Sequence, residues 1–241
     1  MHGQITSNKK GAHIMKTIRN LLIISSAMLL SLPAICSAEQ PKAGPYVSGF
    51  IGVSIPRDSS VTTDDYNTPA TYQDEVEFDP GINIGGTGGY DFGYFRFEGE
   101  ISYRNSEISS ITDQNGVKYR RADGNLGVAA FMTNAFFDLH NASRVTPYLG
   151  GGIGFATLQL SDTYGTDQTS ARWRLYDEGD DTVFAYQVGA GVDIAINRRF
   201  SLDLGYRYFG TDTAKINEDS AWVNSLKFES HNVAVGFRVN F

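Results

Sequence analysis

The sequence is poor in the residues that build most small enzymes and metal proteins. It carries one cysteine, Cys36, and four histidines in 241 residues. A single cysteine excludes an internal disulfide framework and any multi-cysteine zinc site. Proline is scarce, at seven, which excludes a proline-rich or collagen-like chain. Positive charge is in deficit, with 20 Lys and Arg against 27 Asp and Glu and a net charge of −7. Such a chain repels a phosphate backbone, so nucleic acid is excluded as a partner. Long apolar runs are absent except at 21–32, and that run is shorter than the roughly 20 residues a membrane helix needs.

That run has a recognisable setting. Met15-Lys16-Thr17-Ile18-Arg19-Asn20 is basic, 21–32 is apolar, and Cys36-Ser37-Ala38 supplies small residues. This is the order of a secretory signal peptide. The sequence therefore predicts a signal peptide at 1–38, with Met15 as a candidate true start, and a mature barrel at 39–241. Lipid attachment at Cys36 is the competing reading, and the bulky Ile35 before it argues against it. Removing 1–38 takes away Lys9, Lys10, Lys16 and Arg19 and no acid, so the net charge falls by four from −7 to −11.

What is abundant is glycine (26), tyrosine (13) and phenylalanine (15), the composition of short strands and tight turns. The periodicity agrees. Over 94–104, Phe95, Phe97, Gly99, Ile101 and Tyr103 alternate with Arg96, Glu98, Glu100, Ser102 and Arg104. Over 184–196, apolar residues face away from Gln187 and Asp193. Over 200–208 they face away from Asp203 and Arg207. Over 232–241, Val233, Val235, Phe237, Val239 and Phe241 share one face, opposite Arg238. Four weaker segments, 46–55, 82–90, 125–139 and 147–156, complete a set of eight. Connections at 91–93, 140–144 and 197–199 are short. Those at 56–81, 105–124, 157–182 and 210–230 are long and polar. Eight strands with short turns on one rim and long loops on the other predict an all-β fold: an eight-stranded antiparallel up-and-down transmembrane β-barrel.

The charges decide which face is out. Arg96, Glu98, Glu100, Arg104, Asp193, Asp203, Arg207 and Arg238 lie on the polar faces, four basic and four acidic. An eight-stranded interior is only just wide enough for side chains. Large apolar faces from every strand would overfill it, whereas paired charges among Gly and Ala would fit. The eight residues are therefore expected inside, as a lumen charge network, with apolar residues toward lipid. Tyr46, Tyr94, Phe95, Phe137, Tyr148, Phe200 and Phe241 are expected to form interfacial girdles.

These features resemble the small eight-stranded outer-membrane barrels of the porin-family or opacity-type surface-antigen kind, related to the OmpA and OmpX barrels. The matching pieces are Thr146-Pro147-Tyr148-Leu149-Gly150-Gly151-Gly152-Ile153-Gly154, Met132-Thr133-Asn134-Ala135-Phe136-Phe137-Asp138-Leu139 and Phe200-Ser201-Leu202-Asp203-Leu204-Gly205-Tyr206-Arg207-Tyr208. The resemblance implies bacterial outer-membrane localisation after export. It implies that Val233, Val235, Phe237, Val239 and Phe241 form a C-terminal insertion signal read by the barrel-assembly machinery. The sequence stops at Phe241, so no peptidoglycan-binding domain is expected.

Candidate chemistry is thin. His140 and His231 are the histidines after residue 38, and Ser230 beside His231 would point to the opposite face of a strand. The run 150–154 lacks the Lys-Ser/Thr of a phosphate loop. Asp64-Asp65, Asp74-Glu75 and Asp180-Asp181 lack a regular cation-ligand spacing. No catalytic, metal or cofactor site is expected, and the protein is not read as an enzyme. Function is expected in the loops, which display seven acids over 56–80 and six over 157–182. Trp173, Tyr176, Trp222 and Val223 punctuate the loops and are expected mainly to pack them. The expected role is structural or surface-interacting; the alternative is a small porin-like pore. Expected partners are outer-membrane lipid and lipopolysaccharide, the assembly machinery during insertion, and host or other extracellular ligands of the loops.

Overall fold

The structure is a computed structural model that describes residues 43–67, 70–120, 122–140, 143–167, 169–217 and 222–241. All lie in the second of the two units into which the chain divides, 38–241. The signal peptide, its cleavage point at Ala38, Cys36 and the alternative start Met15 fall outside the described residues.

Thirteen strands form one sheet: β1 (Gly44–Pro56), β2 (Ser59–Asp65), β3 (Ala70–Phe78), β4 (Gly81–Asp91), β5 (Phe95–Thr112), β6 (Lys118–Arg120), β7 (Asn125–Asp138), β8 (Val145–Leu160), β9 (Thr163–Thr166), β10 (Arg172–Tyr176), β11 (Gly179–Ala195), β12 (Phe200–Ile216) and β13 (Trp222–Asn240). The eight long strands pair antiparallel in chain order, β1–β4–β5–β7–β8–β11–β12–β13. Strand β13 returns to β1 from Tyr46↔Asn240 to Pro56↔Ser230, which closes the ring and leaves no free edge at that level. The fold is an eight-stranded up-and-down barrel.

Period two sets the faces. On β5, Ile101 is 61% exposed while Glu100 beside it is 2% exposed. The same alternation runs around the ring, with Ile51, Phe97, Phe131, Ile153, Val188, Leu204 and Val235 all outward. An apolar band wrapping a whole barrel is far larger than a soluble surface tolerates and is what lipid requires. The β4–β5 turn shows why a short connection suffices there. The backbone N–H groups of Gly93 and Phe92 donate to Asp91 Oδ1 (2.7 Å) and Phe95 O (2.8 Å), and Gly93 adopts φ +97°, a conformation open to glycine. The inward glycines of β8 allow the wall to close tightly: a Cβ on Gly150 would lie 2.1 Å from the carbonyl oxygen of Ala135.

The long connections depart from expectation. They are not irregular loops but contain the five short strands, and β5, β8, β11, β12 and β13 run well into them. β2 pairs with β13, β3 with β5, β6 with β5 and β9 with β10, so the barrel wall continues beyond the apolar band. Their sequences alternate only weakly, because here one side meets water and the other a small second core. Tyr176 and Val223 are buried in that extension, as expected of packing residues, whereas Trp173 and Trp222 stay about half exposed.

Two expected girdle residues are corrected. Tyr46 and Tyr148 are buried inside the barrel, at 2% and 4% exposure. Each stands one residue out of phase with an outward aliphatic, Val47 or Leu149, so the pleat turns its ring inward. Tyr94, Phe95, Phe137, Phe200 and Phe241 are outward. Phe95 and Phe137 pack edge to face at 5.2 Å, Tyr94 stacks beside Phe137 at 6.5 Å, and Phe200 stacks on Phe237 at 5.5 Å, an aromatic ring at the short-turn rim.

Candidate functional site

The interior has two layers of opposite chemistry. The layer nearer the short turns is ionic. Arg96 Nε donates to Asp138 at 2.8–3.0 Å, with its guanidinium 4.7 Å from the Tyr148 ring. Arg238 Nη1 lies 3.1 Å from Asp193 Oδ2, which also accepts from the Ser201 hydroxyl at 3.1 Å. The Tyr46 hydroxyl donates to Glu98 Oε2 (2.8 Å), and that of Tyr148 to Asp203 Oδ1 (2.9 Å).

Midway up the barrel the groups converge on Glu100. It takes the Arg207 guanidinium and the amide N–H groups of Asn134 and Gln187, each at 2.9 Å, and stands 3.9 Å from Arg104. Arg207 also reaches Glu98, at 3.6 Å, and Gln187 donates to Asn134 Oδ1 at 2.7 Å. Arg104 donates to the Ser102 hydroxyl (3.1 Å) and stands over the Phe209 ring, 4.0 Å from its centre. In a buried interior, such charge-assisted bonds hold each charge only while its partners stay in place.

All eight charged residues singled out from the sequence thus point inward. The count of four against four is incomplete, because Asp138 joins as the partner of Arg96 and the buried Asp91 stands opposite Arg96 on β4, which makes six acids to four arginines. The signal for Asp138 was present: Met132, Asn134, Phe136 and Asp138 share one parity on β7, opposite Phe131, Thr133, Ala135 and Phe137. Tyr46, Tyr148 and Asn134 were likewise missed as network members.

The second layer is apolar. Ile108, Leu126, Val128, Leu158, Phe209 and Phe228 are buried together from the level of Arg104 outward, with Met132 opposite Glu100 at its lower edge, joined by Val61, Val76, Ile111 and Tyr176 from the extension. A register shift between Gly210 and Thr213 of β12 lets Phe209 and Thr211, then Ala214 and Ile216, all face inside. Within the ionic layer the cavity bounded by Phe50, Arg96, Glu98, Tyr148, Asp203 and Arg207 measures about 30 Å³, room for one or two waters.

The acidic connections are partly neutralised where they lie. Glu77 pairs with Lys118 (2.6 Å) and accepts from Ser110 (2.8 Å), Asp123 pairs with Arg172, and Asp162 with Arg174. Lys118 and Ser110 hold the Glu77 carboxyl below its ordinary range. Asp74 is shifted the other way. Burial raises its pKa; the Tyr176 hydroxyl, donating at 2.8 Å, opposes this, and nearby Asp113 adds to the rise. An acid whose folded pKa is raised weakens the fold above that pKa, and the loss is recovered as pH falls through it. Asp74→Asn keeps an acceptor for Tyr176 and removes the charge. It should raise stability at pH 7, by under about 1 kcal/mol because water screens a half-buried group, with a smaller gain at pH 4, where the folded-state carboxyl has begun to protonate. Urea unfolding at the two pH values checks this. Among the described residues no group of three or more His, Cys, Asp or Glu is arranged to hold a metal ion.

A closed antiparallel ring, apolar toward the outside and ion-paired within, defines a transmembrane β-barrel of the bacterial outer-membrane type. The chain belongs to the family described as outer membrane protein beta-barrel domain, which matches residues 23–241. It is 25% identical over 229 residues to the outer membrane protein PagN of Salmonella typhimurium, covering 83% of this chain and 91% of that one. It is 26% identical over 285 aligned positions to an uncharacterized protein of Brucella abortus, covering 97% and 99%. Among solved structures it resembles the outer membrane protein OprG of Pseudomonas aeruginosa, with a TM-score of 0.53, 19% identity and coverage of 85% and 99%.

Proposed function

We propose that this protein is a non-conducting outer-membrane barrel that presents its long, strand-stiffened acidic connections as a surface for extracellular contact. The observation carrying this reading is the two-layer interior, in which cross-paired charges surround a cavity of about 30 Å³ and a cluster of buried apolar side chains fills the layer beyond it. A diffusion pore needs a continuous wet path, and a selective one a ring of one sign of charge. Here opposite charges are cross-paired. Long connections face outward in outer-membrane barrels, so Trp173 and Trp222 stand where a host or other extracellular ligand would meet them. No catalytic role is assigned to His140 or His231; His231 instead faces outward, in a hydrogen bond with Tyr206 at 2.8 Å. Export by a signal peptide cleaved after Ala38 belongs to the same proposal.

Planar-bilayer recording of the purified protein tests it. No steady conductance is expected, and a stable open level would replace this reading with the porin-like one.

Insertion is proposed to depend on the outward face of β13. Val233, Val235 and Phe237 are exposed to lipid, and Phe241 ends the row at 75% exposure. Deleting Phe241 should reduce folded protein in the outer membrane several-fold while export to the periplasm continues. Quantitative blotting of membrane and periplasmic fractions reads both, and unchanged membrane levels would remove the signal role.

A further inference from the structure

The outer boundary of the apolar band is chemically uneven. Above the last large outward apolar side chain of β5, β7, β8 and β11 stand Asn105, Ala129, Thr157 and Thr182, with no Lys or Arg over the next outward position on any of them. On the β12–β13–β1 sector the chain places Arg57 and Lys227 instead. Both are exposed, at 59% and 47%, and both grip one carboxylate: Arg57 Nη1 to Glu229 Oε2 at 2.8 Å and Lys227 Nζ to Glu229 Oε1 at 3.0 Å. The backbone holds the pair in place, because Arg57 N–H donates to Glu229 O (2.9 Å) and the Ser59 hydroxyl to Lys227 O (2.8 Å).

Directly below is an aromatic shelf. Tyr206 stacks on His231 at 6.1 Å and Tyr208 lies 5.4 Å from it. Such rings mark the membrane interface. Glu229 and Lys227 are two and four residues beyond His231, about 7 and 13 Å along the strand. With the usual barrel tilt of about 45° this is roughly 5–10 Å above the shelf, the depth of lipid headgroups. Arg57, Lys227 and Glu229 together carry a charge of +1. Glu229 is 20% exposed, whereas the Arg57 and Lys227 side chains are 59% and 47% exposed and so stay accessible from outside.

We propose that Arg57 and Lys227 form a binding site for the phosphate of an outer-leaflet glycolipid headgroup, with Glu229 as the spacer that sets the two cations side by side. A guanidinium fork and an adjacent point charge suit a phosphate group. The height of the site above the aromatic shelf selects a membrane lipid over a soluble anion. The inference rests on the membrane setting and not on the closed lumen.

Native mass spectrometry of protein purified from outer membranes, placed in phosphatidylcholine nanodiscs and titrated in EDTA, tests it. Phosphorylated lipid A should be retained, and dephosphorylated lipid A should not. Arg57→Gln with Lys227→Gln should weaken retention about tenfold, Arg57→Lys with Lys227→Arg should restore most of it, and Arg172→Gln with Arg174→Gln, in the long connections, should leave it unchanged. Heat-modifiable electrophoretic mobility verifies that each variant is folded. Equal retention of both lipids, or an unaffected double glutamine variant, would overturn the site. Loss of binding in EDTA would reassign it to divalent bridging through acids. Equal occupancy by inorganic pyrophosphate at the same concentration would overturn the lipid as its ligand.

Discussion

Glu100→Ala is expected to destabilise the folded barrel by about 3–5 kcal/mol, the cost of leaving a buried charge without its partner. Glu100 is the most connected group in the interior: Arg207, Asn134 and Gln187 all donate to it, and Arg104 lies at 3.9 Å. Removing its carboxylate leaves Arg207 with the more distant Glu98 at 3.6 Å and strands Arg104, whose side chain is 1% exposed. Glu100→Gln keeps the shape and some of the hydrogen bonds and should cost less. Arg207→Ala alone should also destabilise. The double variant Glu100→Ala, Arg207→Ala should be more stable than the sum of the single losses implies, because each change removes the group the other leaves unpaired. Urea titration in lipid vesicles, followed by circular dichroism, measures all four. Additive losses would show that the two residues do not act as a pair, and the account of the ionic layer would fail.

The second large effect is expected in the apolar layer. Phe209 is fully buried, packs on Phe228 at 6.2 Å between ring centres, and carries Arg104 over its face at 4.0 Å. Truncation to alanine opens a cavity at the junction of the two layers and should cost about 3–5 kcal/mol. Phe209→Leu should cost less than half as much. The prediction separates this layer from a lipid-facing one: Phe131→Ala, on the outward face of β7, should cost far less, since lipid fills the space left. Equal losses for Phe209→Ala and Phe131→Ala in the same urea assay would mean that the inner layer is not packed. Neither Glu100→Ala nor Phe209→Ala breaches the opposite layer, so neither single variant should conduct steadily.

How much of this was legible beforehand varies by element. On β5 the run Arg96, Glu98, Glu100, Ser102, Arg104 against Phe95, Phe97, Gly99, Ile101, Tyr103 states both strand and orientation, because large apolar and charged residues cannot exchange faces in a narrow barrel. On β1 and β8, glycine at Gly49, Gly52, Gly150, Gly151 and Gly152 erases that contrast. The inward turn of Tyr46 and Tyr148 was therefore hidden, though each is fixed by a neighbour one position away. The long connections read as loops because their residues are polar on one face and mixed on the other, and only pairing with β13 and β5 makes β2 and β3 strands.

The sequence by itself determined the number of long strands, their antiparallel order and which face meets lipid, because period two and the charge of alternate residues are local properties. Tertiary structure alone decided which charges become partners. Glu100 is 107 residues from Arg207, and Arg238 is 45 from Asp193, so their pairing is set by the register around the closed ring. Ring closure likewise decided that Ile108, Val128, Phe209 and Phe228 form one apolar layer. Apolar residues on the inner face of one strand are unexplained until seven other strands bring theirs to the same height.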